Sequence, residues 1–278
     1  MGERIVVSGD GGVRVYACPP GRLLTACGLD GARAICAAQD CLFVASDRDN
    51  AIWRLDKNTL MPTGIFAGGP GISQMMPSGD GKRLYALCSD ADSLLMIGVE
   101  SGMPLVVNRV GVNPCTMAMD ERGDTIAVAG GACGEVLLLS ALSLSVIGRM
   151  ATCGVVFSVA MAADCVYALS LTETMDAVLT AFLPGGVRHE LPLNGMPGAL
   201  SVLPDGIAAA THQSVTFASR DGRRVFGRLQ VPGRAGRLWA LPGCMMMIDT
   251  WSDSLFWRPE ALPRWERVAD GVRDAVCL

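Results

Sequence analysis

One phrase of about 40 residues returns seven times along the chain: a turn, a short apolar strand, an Asp/Gly-rich turn, a second strand, a turn and a third strand. It is clearest at residues 39–55, 78–99 and 120–139. A strand-only unit of that length cannot bury both its faces alone, so its copies must stack on one another. Radial stacking of such units makes a β-propeller. The sequence therefore predicts an all-β fold, a seven-bladed β-propeller of four-stranded blades. Its 278 residues would form a single domain, because blades that depend on their neighbours close as a whole.

Half the residues are hydrophobic, 5% are aromatic and 18% are charged. Side-chain volume thus comes from Val, Leu, Ala, Met and Cys, which suits closely stacked sheets and argues against disorder. A formal charge of -4 gives no basic face for phosphates, so no nucleic-acid partner is expected. The eleven cysteines lie mostly in apolar runs and contain no C-x-x-C pair. Free thiols of this kind persist in a reducing compartment, and with no apolar stretch at the N-terminus the expected location is cytoplasmic. Residues 151–171 are apolar enough to suggest a membrane span. Asp164 falls in a turn slot and splits them into two strands, each far short of the roughly 20 residues a spanning helix needs. No membrane partner is expected.

Aligning the copies places inner strands at 34–37, 72–75, 116–119, 157–160, 199–202 and 238–241, and blades at about 31–71, 72–115, 116–156, 157–198, 199–236 and 237–273. The remaining blade joins both ends of the chain, residues 1–30 with 274–278. The phrases Asp30-Gly31-Ala32-Arg33 and Asp270-Gly271-Val272-Arg273 each lead into an inner strand, as this closure requires. A C-terminal strand paired with the N-terminal strands leaves no open edge.

The units resemble the YVTN/YncE-like family of seven-bladed propellers. The likeness is best at 114–147, where Pro114-Cys115-Thr116-Met117-Ala118-Met119-Asp120 leads to Ile126-Ala127-Val128-Ala129 and then Glu135-Val136-Leu137-Leu138-Leu139, and at 70–107. The chain departs from the family at the Asn after the second strand, replaced by Asp47, Asp90, Gly130 or His212. The resemblance implies a fold and a habit of binding, with no shared reaction.

In a propeller the turns before the inner strand and after the second strand gather on one face, so residues there converge whatever their separation in sequence. Just before the inner strand, where other blades carry Pro70, Pro114 and Pro197, three blades carry Arg33, Arg237 and Arg273. Three guanidinium groups on one arc would hold an anionic ligand, carboxylate or phosphate. The alternative is a set of structural ion pairs, because Asp10, Asp47, Asp49, Asp90, Asp92, Glu173 and Asp253 occupy the adjacent turns. These acidic residues stand on different blades without a calcium loop, so no metal is expected, and no motif calls for a cofactor. Trp251, after a second strand, would anchor a protein partner or ligand if exposed. His212 with Glu173 would supply a base and its orienter for a lactonase-like hydrolase. Met245-Met246-Met247 lies inside a strand and reads as core. The sequence thus favours a non-enzymatic binding or scaffold propeller that recognises a protein partner or small anionic ligand, with the hydrolase as the alternative.

Overall fold

The computed structural model describes residues 4–18, 21–130, 134–241, 243–260 and 264–278. Among them, twenty-eight strands form seven antiparallel four-stranded sheets, the blades of an all-β propeller. The chain divides into two compact units, Met1–Arg109 with Val268–Leu278, and Val110–Arg267.

In the first unit, β1 (Arg4–Gly9), β2 (Gly12–Ala17) and β3 (Leu23–Cys27) make blade 1, followed by β4 (Ala32–Ala37), β5 (Cys41–Ser46), β6 (Ala51–Asp56) and β7 (Pro62–Ala67) in blade 2. Blade 3 holds β8 (Ile72–Pro77), β9 (Arg83–Cys88), β10 (Ser93–Gly98) and β11 (Pro104–Arg109). Blade 1 is completed by β28 (Val272–Cys277), which pairs with β1 through Ile5↔Cys277, Val6↔Val276 and Val7↔Ala275. Arg4 and Leu278 exchange both backbone hydrogen bonds, at 3.1 and 2.8 Å, at the end of this ladder. The expected joining of the two chain ends is present.

The second unit carries β12 (Pro114–Met119), β13 (Thr125–Gly130), β14 (Glu135–Ser140) and β15 (Val146–Ala151) as blade 4. Blade 5 is β16 (Val155–Ala162), β17 (Cys165–Leu171), β18 (Ala177–Leu183) and β19 (Val187–Leu193); Asp164 sits in the β16–β17 turn as expected. Blade 6 is β20 (Pro197–Leu203), β21 (Gly206–Thr211), β22 (Ser214–Ser219) and β23 (Val225–Gln230). Blade 7 is β24 (Ala235–Leu241), β25 (Cys244–Asp249), β26 (Ser254–Pro259) and β27 (Glu266–Asp270), the last being the strand within which the boundary between the units falls. No helix among the described residues is long and apolar enough to cross a membrane.

The middle strands explain the continuous apolar runs. β5 is buried at every residue, because blade 1 covers one of its faces and blade 3 the other, and alternation gives way to unbroken hydrophobicity; β10 is likewise buried throughout. Outer strands such as β7 and β11 alternate and face solvent on one side. Between blades 2 and 3, Phe43, Ile52, Ile72, Leu84 and Ile97 form one layer, with the Phe43 and Phe66 rings tilted at 5.5 Å. Between blades 5 and 6, Leu169, Leu179 and Ile207 interleave with Ala177, Ala181, Ala209 and Ala218, whose small side chains let the sheets approach closely. Met245, Met246 and Met247 are buried in β25, as the sequence predicts for core residues.

The recurring Asp in the turns has a local cause. The Asp120 Oδ1 accepts the amides of Asp124 and Thr125 at 2.8 and 2.9 Å, and the Asp56 Oδ1 accepts those of Asn58 and Thr59 at 3.0 and 2.8 Å. The Asp56–Asn58 bond is an Asx turn, the Asp120 bonds close a longer one, and in both the carboxylate fixes its own hairpin without help from the core. The backbone amide and hydroxyl of Thr59 hold the Asp56 carboxyl below its ordinary range, and the Ser78 hydroxyl does the same for Asp80.

A second device links inner strands. The Asp274 carboxylate of β28 accepts the Ile35 amide of β4 at 3.1 Å in the first unit. In the second unit the Thr116 hydroxyl accepts the Val159 amide at 3.2 Å, and the Ser158 hydroxyl accepts the Leu200 amide at 3.1 Å. Asp274, Thr116 and Ser158 each stand just after a β-bulge near the start of an inner strand. These bulges displace most of the predicted starts: β4, β12, β16, β20 and β24 begin two or three residues earlier than the sequence pattern suggests. Each opens on one or two paired rungs, then breaks register, for example between Pro114 and Thr116, so the alternation that marks a strand fails at its first residues.

Candidate functional site

The bulges correct the arginine alignment. Arg33 and Arg273 lie in the bulges of β4 and β28, inside the strands rather than in the turns before them. Arg237 is paired with Ile248, one rung deeper, where other inner strands carry Asp274, Thr116 or Ser158. Alignment by sequence merges two different positions into one.

In the first unit both arginines already have carboxylates. Arg33 Nη1 lies 3.0 Å from Asp47 Oδ2, with both side chains 43% exposed, and Arg273 Nε lies 3.7 Å from Asp10 Oδ1. These are exposed pairs, each contributing at most about 1 kcal/mol. They match the structural ion-pair alternative.

The second unit is different, and the arrangement there starts from backbone. At the end of β25, Asp249 is buried and its carboxylate accepts four hydrogen bonds. Oδ1 takes the amides of Arg234 and Trp251 at 2.8 and 3.2 Å; Oδ2 takes the amide and hydroxyl of Ser252 at 3.2 and 2.6 Å. The Thr250 amide donates to the Arg234 carbonyl at 2.9 Å. One carboxylate therefore locks the turn before β24 to the turn after β25. Gly233 is required beside it, since an added Cβ would lie 2.5 Å from Asp249 Cγ.

This hub presents two side chains. The Arg234 guanidinium lies over the Phe157 ring, 5.4 Å from its centroid, and makes no ion pair among the described residues. Trp251 is 67% exposed, its ring 6.3 Å from that of His212 and inclined by 52°. Phe157 occupies the bulge of β16, as Cys115 does in β12. The Cys115 thiol lies 3.5 Å from the Val156 carbonyl. Burial pushes its pKa up, while the nearby Arg237 charge draws it back part of the way. Arg234, Phe157, Trp251, His212, Cys115 and Arg237 thus come from four blades of one unit to neighbouring positions. Stacking on an aromatic face leaves the edge of a guanidinium free to donate, so Arg234 is a preorganised fork for a carboxylate or phosphate.

The proposed base and orienter are not brought together. His212 Nδ1 accepts the Met196 amide at 2.9 Å, and the His212 amide donates to the Met196 carbonyl at 3.0 Å. Glu173 is exposed in the β17–β18 turn and makes no bond to His212. An imidazole whose Nδ1 is engaged by backbone is fixed as a structural element of its turn. The other histidine, His189, is held by the Asp221 carbonyl at 2.9 Å and by Arg223. Among the described residues, no three His, Cys, Asp or Glu side chains are grouped to hold a metal.

Sequence reasoning misses Arg234 and Asp249. A signal for Asp249 exists: opposite the last inner-strand rung before the bulge, other blades carry Gly9, Ser46, Cys88, Gly130, Ser170 or Thr211, and only this one carries an acid.

No protein-family model matches the chain, and no curated protein matches it in sequence. Solved structures do. A functionally unknown protein from Desulfotomaculum acetoxidans superposes with a TM-score of 0.81 at 11% identity, covering 100% of this chain and 99% of its own. A Bacteroides uniformis protein provisionally named a 6-phosphogluconolactonase gives a TM-score of 0.76 at 9% identity, covering 100% and 99%. Kuenenia stuttgartiensis hydrazine synthase gives 0.76 at 13% identity, covering 92% and 95%. At such identities the likeness is one of fold, and the fold these structures share with the chain is the β-propeller.

Proposed function

We propose that this propeller is a non-enzymatic binding module that recognises an anionic group, a carboxylate or phosphate, on the turn face of the second unit. Arg234 takes the charge, Arg237 adds to the positive field, and Trp251 covers the apolar part of the ligand. The observation that carries this reading is the contrast among arginines. Arg33 and Arg273 are each paired with a carboxylate, whereas Arg234 rests on an aromatic ring with its donors unspent. A solvent-facing Trp beside such an Arg is also the composition of an interaction hot spot. The YVTN/YncE-like repeat supports a binding role over a catalytic one, and the ten described cysteines, all free thiols, support a reducing compartment such as the cytoplasm.

Titration calorimetry with small dicarboxylates, sugar phosphates and a Glu-rich peptide tests the reading and separates a small ligand from an acidic protein segment. Arg234→Gln is expected to weaken binding at least about tenfold, the value of a charge-assisted bidentate pair, while Arg273→Ala leaves it within about twofold. Equal affinity of wild type and Arg234→Gln for every probe would overturn it.

A further inference from the structure

The sixth blade carries a second polar concavity that the turn-face site does not use. In its outer ladder Thr216 stands opposite Arg228 and Ser214 opposite Gln230. Directly opposed residues share one sheet face, with Cβ atoms about 5 Å apart. These four side chains, with Asn194 and Gln213, line a cavity of about 210 Å³.

Two features mark it as more than a solvated groove. Thr216 lines the cavity and is 2% exposed as a residue, and its hydroxyl makes no hydrogen bond among the described residues, so it is available to a group in the cavity. Arg228, across the ladder, has neither an ion pair nor a hydrogen bond among the described residues, and the lining contains no carboxylate. The cavity therefore offers one unopposed guanidinium and several amide and hydroxyl groups, in a lining more polar than apolar that includes Leu193.

We propose that this cavity binds a small hydroxylated oxyanion. Arg228 takes the charged end in a bidentate contact. The Thr216 hydroxyl, at the buried wall, and the Gln213, Gln230 and Asn194 amides take the remaining oxygens. At roughly 30 Å³ per water, the volume corresponds to about seven waters, which sets the ligand at a similar number of heavy atoms. A three-carbon hydroxy acid fits that size. Carboxylate and phosphate share the required chemistry.

The test is a titration of ¹⁵N-labelled full-length protein, followed at the side-chain amide resonances of Asn194, Gln213 and Gln230. The probes are glycerate, inorganic phosphate and, as a neutral control, glycerol. Saturable shifts with glycerate assign a carboxylate, and shifts with phosphate alone assign a phosphoryl group. Arg228→Gln is expected to weaken binding at least about tenfold and Thr216→Val about threefold, whereas Arg234→Gln leaves it unchanged. The last variant separates failure here from failure of the turn-face reading. The proposal is overturned by absence of saturation with either anion up to about 50 mM, by equal binding of glycerol, or by wild-type affinity in Arg228→Gln.

Discussion

The Asp274 carboxylate accepts the Ile35 amide hydrogen at 3.1 Å, tying the last strand of the chain to the inner strand of the second blade. Asp274 is buried, so the bond is made in a low-dielectric setting where neither group has water as an alternative partner. Asp274→Ala is expected to cost about 1–3 kcal/mol by leaving the Ile35 amide unpaired, and Asp274→Asn, which keeps an acceptor oxygen, less. Urea unfolding midpoints measure both, and equal losses in the two variants would contradict the hydrogen-bond account.

Asp249 should be more sensitive still, because four donors converge on it. Asp249→Ala is expected to destabilise by about 3 kcal/mol. Gly233→Ala, which would push a Cβ against the same carboxylate, should be destabilising alone but nearly neutral when added to Asp249→Ala. A double-mutant cycle from equilibrium unfolding decides it, since simple additivity would mean the two residues do not meet.

His212 and Gly195 make a similar pair. Gly195 has φ +86°, and a Cβ there would sit 2.3 Å from His212 Cε1. Gly195→Ala therefore combines a steric clash with a left-handed backbone. In a His212→Ala background only the backbone cost of about 1 kcal/mol should remain. His212→Ala by itself should cost about 1 kcal/mol through the orphaned Met196 amide and leave anion binding by Arg234 within about twofold.

Alkaline pH should weaken the fold. Burial, with the Asp90 charge adding to it, raises the Cys88 thiol from 9.0 to about 11, and burial likewise pushes Cys36, Tyr85 and Tyr167 up. Each folded pKa lies above its unfolded value, so the folded state keeps these protons longer. The Cys88 contribution is complete below about pH 9 and is lost as pH rises toward 11, on the order of 2 kcal/mol. Guanidinium midpoints across this range should fall, less steeply in Cys88→Ala; a slope identical to wild type would exclude Cys88 as a contributor.

The blades were legible because their signals are local. Asp56, Asp80, Asp120 and Asp221 each close a turn within a few residues, and strands buried on both faces announce themselves as apolar runs. The joining of the chain ends was legible from the repeated Asp-Gly phrase at Asp30 and Asp270. What escaped was whatever depended on register. A bulge shifts pairing without changing composition, so Arg237 aligned with Arg33 in sequence although it sits one rung deeper. Arg234 acquires its role only by crossing to Phe157 in another blade, and no spacing rule carries that contact. His212 and Glu173 share equivalent turns on adjacent blades, but the backbone of Met196 claims the imidazole first.

The pairing of Arg4 with Leu278 also fixes how the blade would respond to force. Both residues lie at the same end of an antiparallel ladder, so tension applied at these two points acts along the hydrogen bonds and not across them. The rungs from Ile5↔Cys277 to Gly9↔Val272 would then separate in succession, as a zipper opens, instead of resisting together in shear. Thermodynamic closure and mechanical weakness would coincide in the same five rungs.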